Sequence, residues 1–222
     1  MERAVLSARG LRPQIAELLG QDDVARMLKE LRRLPNLPVI NALFSFLYST
    51  DPEIKWHGVT AMGTTVSFLA DEDIESARNV IRRFMWNLND ESGGIGWGSA
   101  EAMGESLASH KGLADEYSHM LLSYARSDGN FQEDPIMQRG VLWGIGRLAQ
   151  ERPSLVEPYT DLIVPFLESG DASVLGHAVW VLNKLDRNRF RKRIDIFKHD
   201  DREIQIYAHR RLQTYRIRDL SH

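Results

Sequence analysis

IKWHGVTAMG (residues 54–63), IGWGSAEAMG (95–104), MQRGVLWGIG (137–146) and VLGHAVWVLN (174–183) are four versions of one ten-residue pattern. Aligned at their last residue, each has an apolar residue nine positions earlier: Ile54, Ile95, Met137 and Val174. Each turns small or apolar towards its end. A weaker fifth copy is IQIYAHRRLQ (204–213). The register marks fall at 63, 104, 146, 183 and 213, so the steps are 41, 42, 37 and 30. Periods of this length belong to stacked pairs of helices, because one pair cannot bury its apolar face alone and needs a neighbour to do so.

Each step divides into two helices. LPVINALFSFLYS (37–49) is rich enough in apolar residues to form the first. Asp51-Pro52 then opens the second, with Asp as a side-chain cap and Pro at the first helical position, where its missing N–H costs nothing. Ile54, Gly58, Ala61, Met62, Thr65, Phe68 and Leu69 fall on one stripe at helical spacing. Asp134-Pro135 opens the equivalent helix of the third pair. Pro165, inside DLIVPFLES, is expected to kink the helix it sits in.

These features resemble HEAT-like repeats, in particular the short bacterial kind named after phycobilisome lyases, over about Leu37 to Leu212. The carriers are the Asp-Pro-x-Ile helix start and the Met-Gly or Ile-Gly ending. RRFMWNLNDESGGIGWGSAEAMGE also resembles a stretch found in a group of uncharacterised prokaryotic HEAT-like proteins. The resemblance implies an all-α solenoid, a right-handed superhelix of helical hairpins. The expected organisation is a single domain: an N-terminal helical cap (1–36), about five hairpins (37–212) and a C-terminal tail (213–222), with no β-sheet.

Composition limits the function classes. The chain has 222 residues, 43% of them hydrophobic and 27% charged, and no cysteine. Disulfides, thiol nucleophiles and Cys-ligated zinc are excluded. No apolar run is long enough to span a bilayer, and the first residues lack the pattern of a signal peptide. A cytoplasmic protein with no membrane association is expected. The net charge of −3 is unevenly spread: residues 186–222 hold eleven Lys/Arg against six Asp/Glu, leaving −8 on the rest. The basic end reads as a polar cap on the array. The competing reading is a nucleic-acid contact.

In such arrays the second helix of each pair lines the concave side. Positions two and six residues into the repeat fall off the buried stripe and share one face. They are Trp56 and Thr60, Trp97 and Glu101, Arg139 and Trp143, Gly176 and Trp180, then Ile206 and Arg210, with Glu105, Arg147 and Lys184 one turn further on. Trp56, Trp97, Trp143 and Trp180 thus recur at equivalent places on four successive helices. The expectation is a tryptophan-lined groove with a mixed-charge rim of Glu101, Glu105, Arg139 and Arg147, suited to a protein or peptide partner. The alternative is that the tryptophans only fill space between hairpins. The loop NDESGGIGWG (89–98), with Gly93, Gly94 and Gly96, adds a candidate edge to that groove, since it ends at a helix start where backbone N–H groups are free. It lacks the preceding strand and the Lys-Ser/Thr of a phosphate loop.

Enzyme readings find less. No His-Glu dipeptide exists, unlike the di-iron hydroxylases of this repeat type. Trp97, Glu101 and Arg139 loosely resemble the Trp, Asp and Arg of HEAT-like DNA glycosylases, with Glu in place of Asp. A lyase role rests on fold analogy alone. No catalytic residue, metal ligand or cofactor is assigned, and the function expected is a binding scaffold.

Overall fold

The computed structural model describes residues 7–90 and 96–221. Helices α1 (Ala8–Leu19) and α2 (Val24–Leu31) open it, followed by α3 (Asn36–Leu43), α4 (Pro52–Glu72), α5 (Ile74–Leu88), α6 (Ser99–Ser109), α7 (Lys111–Ser123), α8 (Pro135–Glu151) and α9 (Ala172–Ile194). Helices α4, α6, α8 and α9 stack in sequence order as the inner layer, and α3, α5 and α7 form the outer one. The copies at 54–63, 137–146 and 174–183 lie within α4, α8 and α9, whereas only Ser99–Gly104 of the second copy belongs to α6.

Local chemistry sets the boundaries. Asp51 caps α4 by accepting from the Glu53 and Ile54 N–H groups, and Asp134 caps α8 through Ile136 and Met137, each with proline at the first position. Between paired helices the connection shrinks to one residue. Asp73, in extended conformation, ends α4 and caps α5 through Ser76 N–H. His110 does the same between α6 and α7, its Nδ1 accepting from Leu113 N–H at 3.1 Å. The repeat-end glycines permit close stacking. A Cβ on Gly104 would strike the backbone of Gly144 on the next inner helix, and one on Gly146 would strike the Trp180 ring.

Two regions differ from the sequence reading. The segment around Pro165 is not a kinked helix. Residues 153–168 form three short 3-10 turns, Pro153–Leu155, Glu157–Leu162 and Val164–Glu168, each with proline at its start. Three prolines in this span remove the N–H groups that a continuous α-helix needs.

The second difference matters more. Residues 204–213 are not a fifth helical repeat, and the C-terminal tail expected over 213–222 is strand and short helix as far as Leu220. The chain forms an antiparallel hairpin, β1 (Glu203–Ala208) and β2 (Arg211–Arg216), followed by a short helix α10 (Ile217–Leu220). Among the described residues four helical units are therefore present rather than five, and the expectation of no sheet is corrected. The register pairs Ile204 with Tyr215 and Tyr207 with Leu212. Ile204 and Ile206 are buried while Glu203 and Gln205 are exposed, a period of two. The turn residues His209 and Arg210 both adopt left-handed backbone, at φ 52° and 61°. This is the mirror-image turn that fits the strand twist, made here without the usual glycine or asparagine. Helix α10 anchors the hairpin's far end: Ile217 and Leu220 are buried, and Asn183 Nδ2 on α9 donates to Leu220 O at 3.0 Å.

Candidate functional site

The hairpin lies across the inner helices α4, α8 and α9. Ile204 seats on Gly176 of α9, where a Cβ would leave it no room. Tyr207 reaches the centre of the array. Its ring stacks on Trp56 of α4, with centroids 4.8 Å apart and planes 3° from parallel, and its hydroxyl is 3.1 Å from Thr60 Oγ1. Its backbone carbonyl accepts from Trp143 Nε1–H at 2.8 Å. Trp143 also meets Trp56 at 4.7 Å. Two helices far apart in sequence, α4 and α8, thus converge on one strand residue. Burial holds the Tyr207 phenol above its ordinary value.

The tryptophans expected to be equivalent and exposed are not alike. Trp143 and Trp180 are only 2% and 6% exposed, and Trp56 is half-buried. Trp143 and Trp56 are covered by the hairpin rather than by a neighbouring helix pair. Trp180 is wedged against Gly146, with an edge-to-face contact to His177 at 6.4 Å. Trp97 remains 41% exposed, at the entry to α6, away from this cluster. The fifth tryptophan, Trp86 on outer helix α5, is 73% exposed and belongs to a different face.

The charged positions also pair inward. Glu101 is 5% exposed and accepts from Lys55 Nζ at 2.7 Å. Glu105 is 9% exposed and is gripped by Arg147, with Nε to Oε2 at 2.7 Å; Arg147 reaches on to Glu151 at 2.8 Å. Burial lifts the Glu105 carboxyl above its ordinary value, against the opposing pull of Arg147. Arg139 is partly exposed and contacts its own helix at Pro135 O. Beside it the buried His177 donates from Nδ1–H to Ser173 O at 2.7 Å, and burial pulls its pKa down to about 4.

The loop glycines find structural explanations where they can be seen. Gly96 is buried against Met137 and the Asn87 carbonyl. Gly98 has φ 76° and passes so close to the Leu47 carbonyl that a side chain cannot fit. Gly98, Ser99 and Ala100 are all buried, so the start of α6 does not face solvent as an open anion site would. Gly93 and Gly94 lie outside the described residues.

Clefts remain on either side of the seated strand. One, of about 350 Å³, lies under the turn and is lined by Glu105, Arg147, Glu151, Trp180, His209 and Arg210 among others. Another, of about 210 Å³, lies beside β1 and includes Lys55, Trp56, Glu101, Arg139 and His177. The sequence reading placed several of these side chains on one surface. It missed Tyr207, Lys55 and His209, whose roles come from the hairpin's return over the array. Among the described residues no group of His, Asp and Glu is arranged to hold a metal ion.

Residues 135–185, spanning α8 to the first part of α9, match the HEAT-like repeat family model. The chain is a helical-repeat protein. It is similar to an uncharacterised protein of Archaeoglobus fulgidus, with 29% identity over 170 residues, covering 72% of this chain and 84% of that one. Among solved structures it is similar to an engineered protein, at TM-score 0.48 and 14% identity, covering 86% of this chain and 90% of that chain. It is also similar to a designed armadillo repeat protein in complex with the peptide (KR)4, at TM-score 0.44 and 15% identity, covering 83% and 86%. No helix among the described residues is long and apolar enough to cross a membrane.

Proposed function

We propose that this protein is a binding scaffold that takes an extended polypeptide segment across its concave face, and that its own C-terminal strand occupies that place in the closed state. The observation that carries the reading is the seating of β1. An extended strand already lies there, held through a backbone carbonyl by Trp143 and through a side chain by Trp56 and Thr60. Backbone recognition by a fixed donor is indifferent to the strand's sequence, while the slot for Tyr207 selects an aromatic. A partner segment would use the same contacts after displacing the hairpin. Its apparent affinity is then reduced by the fraction of time the face is open.

The test uses a fluorescent peptide with the sequence of residues 203–208. Fluorescence anisotropy is measured against the wild-type chain and against Tyr207→Ala, which loosens the hairpin. Tighter binding to the variant is expected, and replacing the tyrosine in the peptide by alanine should remove it. A peptide that binds neither chain at millimolar concentration would count against the concave face as a polypeptide site. No observation favours the glycosylase-like set, since Glu101 is committed to Lys55 and Trp97 stands apart from the cleft that holds Glu101 and Arg139. Part of the basic end is paired, through Arg189–Asp161, Arg202–Asp200 and Arg218–Asp201, which commits those guanidinium groups to the fold.

A further inference from the structure

Two unfavourable features meet at one place. The first is the turn. His209 and Arg210 both hold left-handed backbone, which side-chain-bearing residues adopt at a cost and which glycine or asparagine would relieve. The second is the Glu105–Arg147 pair, drawn out of water on the floor of the groove where an apolar pair would fill the space at no desolvation cost. Local rules broken together, at a cavity, mark a site held in shape for a ligand.

The chemistry of the cleft narrows the ligand. Its helical wall carries two carboxylates, Glu105 and Glu151, for the single guanidinium of Arg147, a surplus of one negative charge. Its hairpin side carries Arg210, which makes no ion pair at contact distance among the described residues and whose charge acts on Glu105 across the same space. Trp180, Thr64, Gln150 and His209 are also among its lining. The volume, about 350 Å³, is at the small end of the range for small-molecule sites. Surplus charges of opposite sign across a small cleft are satisfied together by one molecule bearing both an ammonium and a carboxylate. We propose that the cleft under the turn binds a free amino acid, its ammonium held by Glu105 and Glu151 and its carboxylate by Arg210. This site exists only while the hairpin is seated, so it does not rest on the polypeptide-binding reading.

The experiment screens the twenty common amino acids singly, at millimolar concentration, against the full chain by thermal shift, followed by isothermal titration of any that respond. Acetate and methylammonium serve as half-ligand controls. At least one amino acid should raise the melting temperature and bind saturably, while neither control alone does so at the same concentration. Glu151→Gln should weaken binding about tenfold or more. Arg210→Gly should abolish binding and at the same time raise the melting temperature of the free protein, because glycine relieves the turn. Arg210→Asn, which tolerates the left-handed backbone but lacks the charge, should also lose binding. No saturable response to any amino acid would overturn the proposal. So would an amino acid whose affinity is unchanged in Arg210→Gly and Glu151→Gln, or acetate binding as tightly as the amino acid. Arg210→Gly leaves the slot for Tyr207 intact, so failure here and failure of the peptide-binding test are separate results.

Discussion

Tyr207→Ala removes the residue on which the hairpin's seating converges. The losses overlap, so the total stays at the lower end of the packed-site range. The buried ring gives up its apolar contact, and aromatic-to-alanine changes in packed sites cost about 3–5 kcal/mol. Within that figure, the stack on Trp56 accounts for about 0.5–1.5 kcal/mol. The hydroxyl contact with Thr60 contributes about 1 kcal/mol. The bond from Trp143 to the backbone carbonyl survives in principle, since alanine keeps its carbonyl. A net weakening of about 3 kcal/mol raises the hairpin's opening constant by about two orders of magnitude. The helices do not depend on it, because α4, α6 and α8 bury their own faces against one another. Hydrogen exchange read by peptide mass spectrometry checks this. Amides of residues 203–216 should lose protection about a hundredfold while those in α6 and α8 keep theirs. If α6 and α8 lose protection in step with the hairpin, the hairpin is an inseparable part of the core. If protection at 203–216 is unchanged, the contacts described here do not hold it.

Four further outcomes follow from the same geometry. Gly104→Ala should lower the melting temperature, because the new methyl meets the Gly144 backbone and forces α6 and α8 apart; overpacking costs about 1–3 kcal/mol, against about 1 kcal/mol gained in helix propensity. Arg147→Met should destabilise by about 2–4 kcal/mol in urea titration by stranding Glu105, and adding Glu105→Leu should recover part of the loss. His177 has a folded pKa of about 4, below its unfolded value, so the unfolded chain binds the extra proton first. Its contribution is whole above about pH 6.5 and is lost as pH falls towards 4, by about 3 kcal/mol at most; His177→Asn should show a flatter loss of melting temperature over that window. Trp143→Phe removes the donor to the Tyr207 carbonyl together with part of the ring packed on Trp56, and should increase exchange at 203–208 by about tenfold or more without unfolding the helices.

The inner helices were legible in the sequence because capping and periodicity act locally. Asp51-Pro52 and Asp134-Pro135 announce helix starts wherever they occur, and the repeat supplied the stacking order. The glycines that close each copy could be seen, though not that Gly104 would face the Gly144 backbone. The C-terminal segment misled for a definite reason. Ile204, Ala208 and Leu212 are four apart, which reads as a helix, and the turn His209-Arg210 carries none of the residues that flag a tight hairpin. The contrary signal was present in Ile204-Gln205-Ile206-Tyr207, an alternating run of β-branched and aromatic residues, with Thr214 and Tyr215 to follow. Of the tryptophan row, Trp56, Trp143 and Trp180 lie on inner helices and Trp97 lies in the turn before α6. Its exposure was not legible, because what covers Trp56 and Trp143 comes from residues about 64 and more positions downstream.

The order of elements along the chain also sets an order in time. Trp180, the last aromatic of the inner helices, is made before Tyr207, with about 27 residues between them. At translation rates of about 5–20 residues per second, the aromatic face is complete for roughly one to five seconds before its cover has been synthesised. During biosynthesis every copy of this protein therefore presents an uncovered Trp56–Trp143 surface. In that interval a nascent chain is open to chaperones and to neighbouring polysomal chains in a way that the finished molecule is not.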